Sequence, residues 1–196
     1  MPITTDEELA EAADLVGRKL QEIQNYLGAD SHRAAKVRFP RGYIRTANYF
    51  RSRLPFILDN DAQDNLAYAL ILTDVYRWLT SRTDLFGTAR EMVFKAGVVL
   101  AGSICETMTV NYTKGVIGRS VRFKSRCDRM VTAGMITAPL RDELHWLWDT
   151  RSAIHLCDVE VREYERYTTA DYNLAITCIR NLRDQLDEHS TANAAF

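Results

Sequence analysis

Strand signatures are missing from this sequence. Its four prolines and nine glycines are spread thinly, and between them apolar residues recur every three or four positions rather than every second one, so an all-α fold is expected. The four cysteines, Cys105, Cys127, Cys157 and Cys178, form no CxxC pair, which argues against a zinc knuckle and a disulfide framework. Packed, reduced thiols are the expected state. No GxGxxG, Walker loop, GxSxG elbow or HExxH occurs, so nucleotide-cofactor, P-loop, hydrolase and zinc-protease readings have no support. His32, His145 and His189 show no ligand spacing and the carboxylates are scattered, so neither a cofactor nor a metal is expected. The first residues lack the basic and apolar regions of a secretory signal, and the longest charge-free apolar run, residues 96–105, falls short of a bilayer span. A soluble, cytoplasmic chain without a membrane partner is the expectation.

What is present is enough apolar material for one core. With 196 residues, 46% hydrophobic and 26% charged, the chain reads as a single domain: a helical extension over 1–58 and a bundle core over 61–188. Six to seven helices in an up-and-down bundle are predicted. The first is Asp6–Leu27, opened by Thr5 and Glu8 as a capping box and stopped by Gly28. Its apolar positions Leu9, Ala13, Val16, Leu20, Ile23 and Leu27 alternate steps of four and three, the seam of a helix that packs lengthwise on another.

A short segment is expected near 41–53, closed by Pro55. A helix over 61–82 follows, with Asn60 as cap and Leu66, Leu70, Ile71, Trp78 and Leu79 turned inward. Residues 88–114 contain AGVVLAGSIC, whose small side chains suit a central helix. Gly115 and Gly118 interrupt it, and Gly134 ends the helix that resumes. Thr137 and Pro139 then open a helix through LRDELHWLWDTRSAIH. The last helix, 169–188, carries the stripe Ala175, Cys178, Ile179, Leu182 and Leu186, and the tail beyond it is expected to fray.

The net charge of −1 hides a strong segregation. Residues 31–53 hold seven basic and no acidic groups, and residues 114–130 hold six basic and one acidic. The first island interleaves Arg33, Lys36, Arg38, Arg41, Arg45, Arg51 and Arg53 with Phe39, Tyr43, Tyr49 and Phe50, a combination suited to phosphates and unstacked bases. The second, with Lys114, Arg119, Arg122, Lys124, Arg126 and Arg129, runs from a glycine-containing loop into a helix N-terminus. The candidate RNA contacts are Arg38, Arg41, Arg45, Lys114, Arg119 and Arg122. The competing reading pairs both islands with the acidic first or last helices of the same chain or with an acidic partner protein.

One segment can carry chemistry. On a helix over 140–155, Leu140, Leu144 and Leu147 define a buried stripe whose next position is Arg151, while Trp148 and His155 fall on the neighbouring row. An arginine on an apolar stripe must find a carboxylate, a groove or a partner surface. Glu106, Asp149 and Asp74 are the candidate carboxylates, and an ion pair with one of them needs no further function. The functional reading is metal-free RNA cleavage: imidazole transfers protons, and the guanidinium stabilises charge on the phosphorane. One Arg and one His are few for this, so two copies related by a two-fold axis would complete the set.

AGSICET in a central helix, the basic helix with AGMIT after it, and LRDELHWLWDTRSAIHL before a last amphipathic helix together resemble HEPN-domain proteins, over roughly 61–188. The resemblance implies an all-α bundle, a homodimer and, in many members, a metal-independent ribonuclease of toxin, antiphage-defence or RNA-processing systems, with an antitoxin or other protein as partner. It implies Arg151 and His155 as the catalytic pair, and Glu106 is the nominated partner of Arg151. Three residues separate Arg151 from His155 where the family usually has four to six, and Ser152 stands where asparagine is frequent. A non-catalytic nucleotide-binding, RNA-binding or dimerisation module is the alternative. A third reading makes the first helix an intermolecular coiled coil.

Overall fold

The computed structural model describes residues 2–153 and 167–194. Among these residues there are seven α-helices and no strand: α1 Asp6–Leu27, α2 Ala47–Arg51, α3 Asn60–Arg82, α4 Gly87–Tyr112, α5 Phe123–Thr132, α6 Ala138–Ser152 and α7 Thr169–Ala194. The chain divides into two compact units, Met1–Arg41 and Gly42–Phe196. The division falls after Arg41, so residues 42–58 of the expected extension belong to the second unit: Phe50, Leu54, Phe56 and Ile57 are all core residues.

The first unit is α1 and a single 3-10 turn, Arg33–Ala35. Thr5 Oγ1 accepts from the Glu8 N–H at 3.2 Å, and the Glu8 carboxylate reaches back to the Thr4 N–H at 2.7 Å, one residue earlier than in a standard capping box. Gly28, at φ 56°, ends the helix. No residue of α1 is buried.

The second unit is built around α4, which buries Phe94, Val98, Ala101, Ile104, Cys105 and Met108. It packs against α3, α5, α6 and α7, while α2 lies on α3 and α5 and α7 lie on α6. Its glycines allow close approach. A Cβ on Gly97 would meet the Tyr172 ring at 2.4 Å, and one on Gly102 would meet Arg151 Cδ at 3.0 Å. By length and composition alone α4 could cross a membrane, with a mean hydropathy of 1.4, but half of that stretch is buried among its neighbouring helices.

Several boundaries differ from expectation. Asp59, not Asn60, caps α3, because its carboxylate accepts from the Ala62 N–H at 3.2 Å and Asn60 becomes the first helical residue. Ile71, Trp78 and Leu79 are half-buried rather than core. The tail expected to fray is helical to Ala194, since His189 is tied to α4 by the Tyr112 hydroxyl at 2.6 Å. α6 stops at Ser152, with the Ala153 N–H bonded to the Asp149 carbonyl. Cys105, Cys127 and Cys178 are buried free thiols, and burial pushes Cys127 and Cys178 up to about 12. Cys157 lies outside the described residues.

Candidate functional site

The C-terminal half of α4, the glycine turn after it, α5 and the end of α6 meet around one side chain. Arg126 completes the inward face of α5 that Phe123, Cys127 and Met130 define, and it is fully buried. It is therefore no surface cation of the second island. Its guanidinium donates to Thr113 Oγ1 at 2.6 Å and to the carbonyls of Gly118, Arg119 and Val121 at 3.1, 3.3 and 3.3 Å. These partners are neutral oxygens, and burial pulls the pKa of Arg126 below its ordinary value. The guanidinium is thus the peg on which the turn from Thr113 to Val121 hangs.

That turn and α4 enclose a groove of three hollows that share lining residues. The first, about 450 Å³, is lined by Glu106, Arg119, Arg122, Arg126 and Trp148 among others. It shares Val110 and Arg119 with a second of about 310 Å³ over Asn111, Lys114 and Gly115. Asp59, Asn111, Lys114 and Val116 lead on to a third of about 710 Å³ that reaches Tyr112, His189, Ser190 and Asn193. From Glu106 to Tyr112 α4 rises roughly 9 Å, comparable to three stacked nucleotides at roughly 3.4 Å each. Arg119 and Arg122 are exposed beside the groove and make no ion pair among the described residues. Lys114 pairs loosely with Asp59 at 3.3 Å, and Lys124 pairs with Asp149 at 2.6 Å.

Arg151 takes the carboxylate nominated for it. Its NH1 lies 3.3 Å from Glu106 Oε2, with the two side chains 26% and 38% exposed. Its guanidinium carbon lies 4.6 Å from the Trp148 ring centre, and Trp148 also stacks on Phe123 at 4.7 Å. The indole is therefore engaged within the protein. Asp149 and Asp74, the other two candidates, serve Lys124 and Arg45 instead. His155 lies outside the described residues.

The first island is largely consumed by structure. Asp74, 1% exposed, receives Arg45 Nε at 2.9 Å, Arg45 NH2 at 2.5 Å and the Arg45 backbone N–H at 2.9 Å. Arg77 adds a contact at 3.4 Å. Burial pushes the Asp74 carboxyl up, but the bonds from Arg45 outweigh it and the pKa lies below the usual 3.8. Arg51 is bound to Asp64, and Phe50 is core. Arg45 and Arg51 thus pair within the chain, but with carboxylates of α3 rather than of the first or last helix, and Arg45 is committed to a buried one. Arg38 and Arg41 are exposed in the first unit.

Sequence reasoning passed over two of these groups. Tyr112 and His189 face each other at 2.6 Å, and burial raises the Tyr112 hydroxyl, which keeps it protonated at neutral pH. Continuing the α7 stripe by one step from Leu186 would have reached His189. Among the described residues, no three His, Cys, Asp or Glu side chains converge where a metal could bind. No protein-family model, curated protein or solved structure matches this chain.

Proposed function

We propose that the chain binds single-stranded RNA along the groove beside the C-terminal half of α4. Arg119, Arg122 and Lys114 take the phosphates, and the end lined by Asn111, Tyr112, His189 and Asn193 takes a base. The observation that carries this reading is the pair of exposed arginines, without an ion pair among the described residues, beside hollows that share lining residues. Guanidinium groups fork onto phosphate oxygens, and amide and imidazole groups suit the edges of an unpaired base. The test is fluorescence anisotropy of a labelled RNA oligomer across a salt series. Binding should weaken with salt, and Arg119→Glu with Arg122→Glu should flatten the log–log slope by about 1.4, at roughly 0.7 per phosphate contact on a single strand. Salt-independent binding, or an unchanged slope in the double variant, would refute the assignment.

A second reading adds cleavage, and it rests on Glu106, which lines the groove while holding Arg151. In that reading His155 takes the 2′-hydroxyl proton as the 2′-oxygen bonds to phosphorus, Arg151 stabilises the phosphorane, and the bond to the 5′-oxygen breaks as that oxygen takes a proton from the imidazole of the second copy, which leaves 2′,3′-cyclic phosphate and 5′-hydroxyl ends, as the HEPN resemblance implies for a homodimer. Incubation with tRNA and total RNA in excess EDTA tests it. Cleavage lost in folded Arg151→Ala and His155→Ala supports it; cleavage surviving in both sinks it.

A further inference from the structure

Arginines crowd the walls of two hollows in the second unit. Arg45 precedes α2, Arg53 follows it, Arg77 lies on α3, and Arg180 and Arg183 lie one turn apart on α7. All of them line a hollow of about 250 Å³, and Arg45, Arg77 and Arg180 also line a neighbouring one of about 270 Å³. Few carboxylates answer them. Asp74 takes three bonds from Arg45 and leaves Arg77 at 3.4 Å, and Asp184 pairs with Arg183 beside it at 2.5 Å. Arg53 and Arg180 are exposed and make no ion pair among the described residues. Five guanidinium groups thus stand against two carboxylates, an arrangement that repels itself until an anion enters.

Aromatic faces hold the less committed groups in place. Arg53 lies 5.6 Å from the Tyr49 ring centre and Arg77 lies 5.0 Å from that of Tyr43. Such a contact orients a guanidinium and leaves its N–H groups open to an acceptor. The Tyr49 phenol reports the field around them: its pKa falls below the ordinary value, chiefly through the guanidinium of Arg45, with Arg53 and Arg183 adding to it.

Between the arginines the first hollow is apolar. Phe50, Leu70, Met108 and Ile179 are buried, and half-buried Ile176 lines both hollows. Asn173 and Thr177 give the second an amide and a hydroxyl. A bare inorganic anion would leave the apolar floor uncovered, and an uncharged ring would leave the cations unmatched. Arginine forks onto phosphate oxygens, while a thioether and aliphatic side chains accept a flat ring. Together the hollows reach the size of small-molecule sites, about 300–1,000 Å³. We propose that they form a second binding site, for a small aromatic phosphate monoester, with Arg77 and Arg180 on the phosphate and the ring over Phe50, Leu70 and Ile179. The site shares no lining residue with the groove assigned to RNA.

The test is isothermal titration calorimetry of the full chain with phenyl phosphate. Phenol and inorganic phosphate serve as the halves of that molecule, and adenosine 5′-monophosphate as a larger member of the class. Phenyl phosphate or the nucleotide should bind at least about tenfold more tightly than either half, and the tighter of the two tells an aryl ligand from a nucleotide. Arg180→Ala should weaken that binding about tenfold or more, the loss of a charge-assisted contact, and Arg180→Lys should restore it only in part. Because Arg180 is exposed, both variants should keep the wild-type thermal transition. Inorganic phosphate binding as tightly as phenyl phosphate, or no probe binding at millimolar concentration, overturns the proposal. So does binding unchanged in Arg77→Ala combined with Arg180→Ala, or displacement of the probe by an RNA oligomer that persists in Arg119→Glu with Arg122→Glu, which would give these arginines to the strand. That last pair of substitutions should leave phenyl phosphate binding intact, which separates failure here from failure of RNA binding.

Discussion

Replacing Arg126 by methionine tests whether one buried guanidinium holds the groove together. Methionine keeps much of the length and stays apolar on the buried face of α5, but it removes all four hydrogen bonds. Thr113 loses little, because its hydroxyl still donates to the Thr109 carbonyl at 2.7 Å. Gly118 and Arg119 are exposed, so water can reach their carbonyls, whereas Val121 is only partly exposed. Against these losses stands the recovered cost of burying a cation that has no carboxylate. The balance is about 3 kcal/mol of destabilisation. For a domain of this size that corresponds to roughly 6–12 °C in Tm by calorimetry or circular dichroism. Arg126→Lys should recover less than half, because an ammonium cannot fork onto carbonyls on several sides. Hydrogen exchange should localise the loss to residues 113–121, and RNA affinity should fall with it although Arg126 is buried. A methionine variant within about 2 °C of wild type, with normal protection of that turn, would refute the reasoning.

Asp74→Asn should cost about 2–3 kcal/mol at neutral pH, near the lower end for a buried pair because Arg45 stays 35% exposed to water. Since the folded pKa of Asp74 is depressed below 3.8, the carboxylate stabilises the protein above that value. The gap between wild type and variant in urea midpoint should close as pH falls through the folded pKa. Glu106→Gln should shift stability by less than about 1 kcal/mol, because its pair with Arg151 is screened by solvent; a larger loss in urea unfolding would make the pair a structural one. Gly97→Ala and Gly102→Ala should both destabilise despite the better helix propensity of alanine. Gly97→Ala should be the worse, because it drives a methyl to 2.4 Å from the Tyr172 ring; equal or raised Tm values would contradict the close packing of α4.

The sequence made the helices legible because caps and stripes are local. Thr5, Gly28, Gly134 and Pro139 each mark a boundary through their own backbone requirements, and Ala175 to Leu186 mark a face by spacing alone. The same logic exposed Arg151, since a guanidinium on the row of Leu140, Leu144 and Leu147 must face α4, where Glu106 offers a carboxylate. What stayed hidden was decided between elements. Arg45 and Asp74 lie 29 residues apart and meet only because α2 docks on α3, so nothing in the composition of the first basic island distinguished a buried ion pair from a phosphate contact. Arg126 and His189 are different: both sit on apolar rows that the sequence shows, three residues past Phe123 and Leu186, and both were obscured by their neighbours, a run of cations in one case and a polar tail in the other. A charged residue in step with an apolar row is thus a better guide than local charge density, because its row commits it to the interior before any partner is known. That rule singles out Arg126, which is buried on the row of Phe123, Cys127 and Met130, whereas Arg119 and Arg122 precede the first residue of α5 and stay exposed, with no ion pair among the described residues.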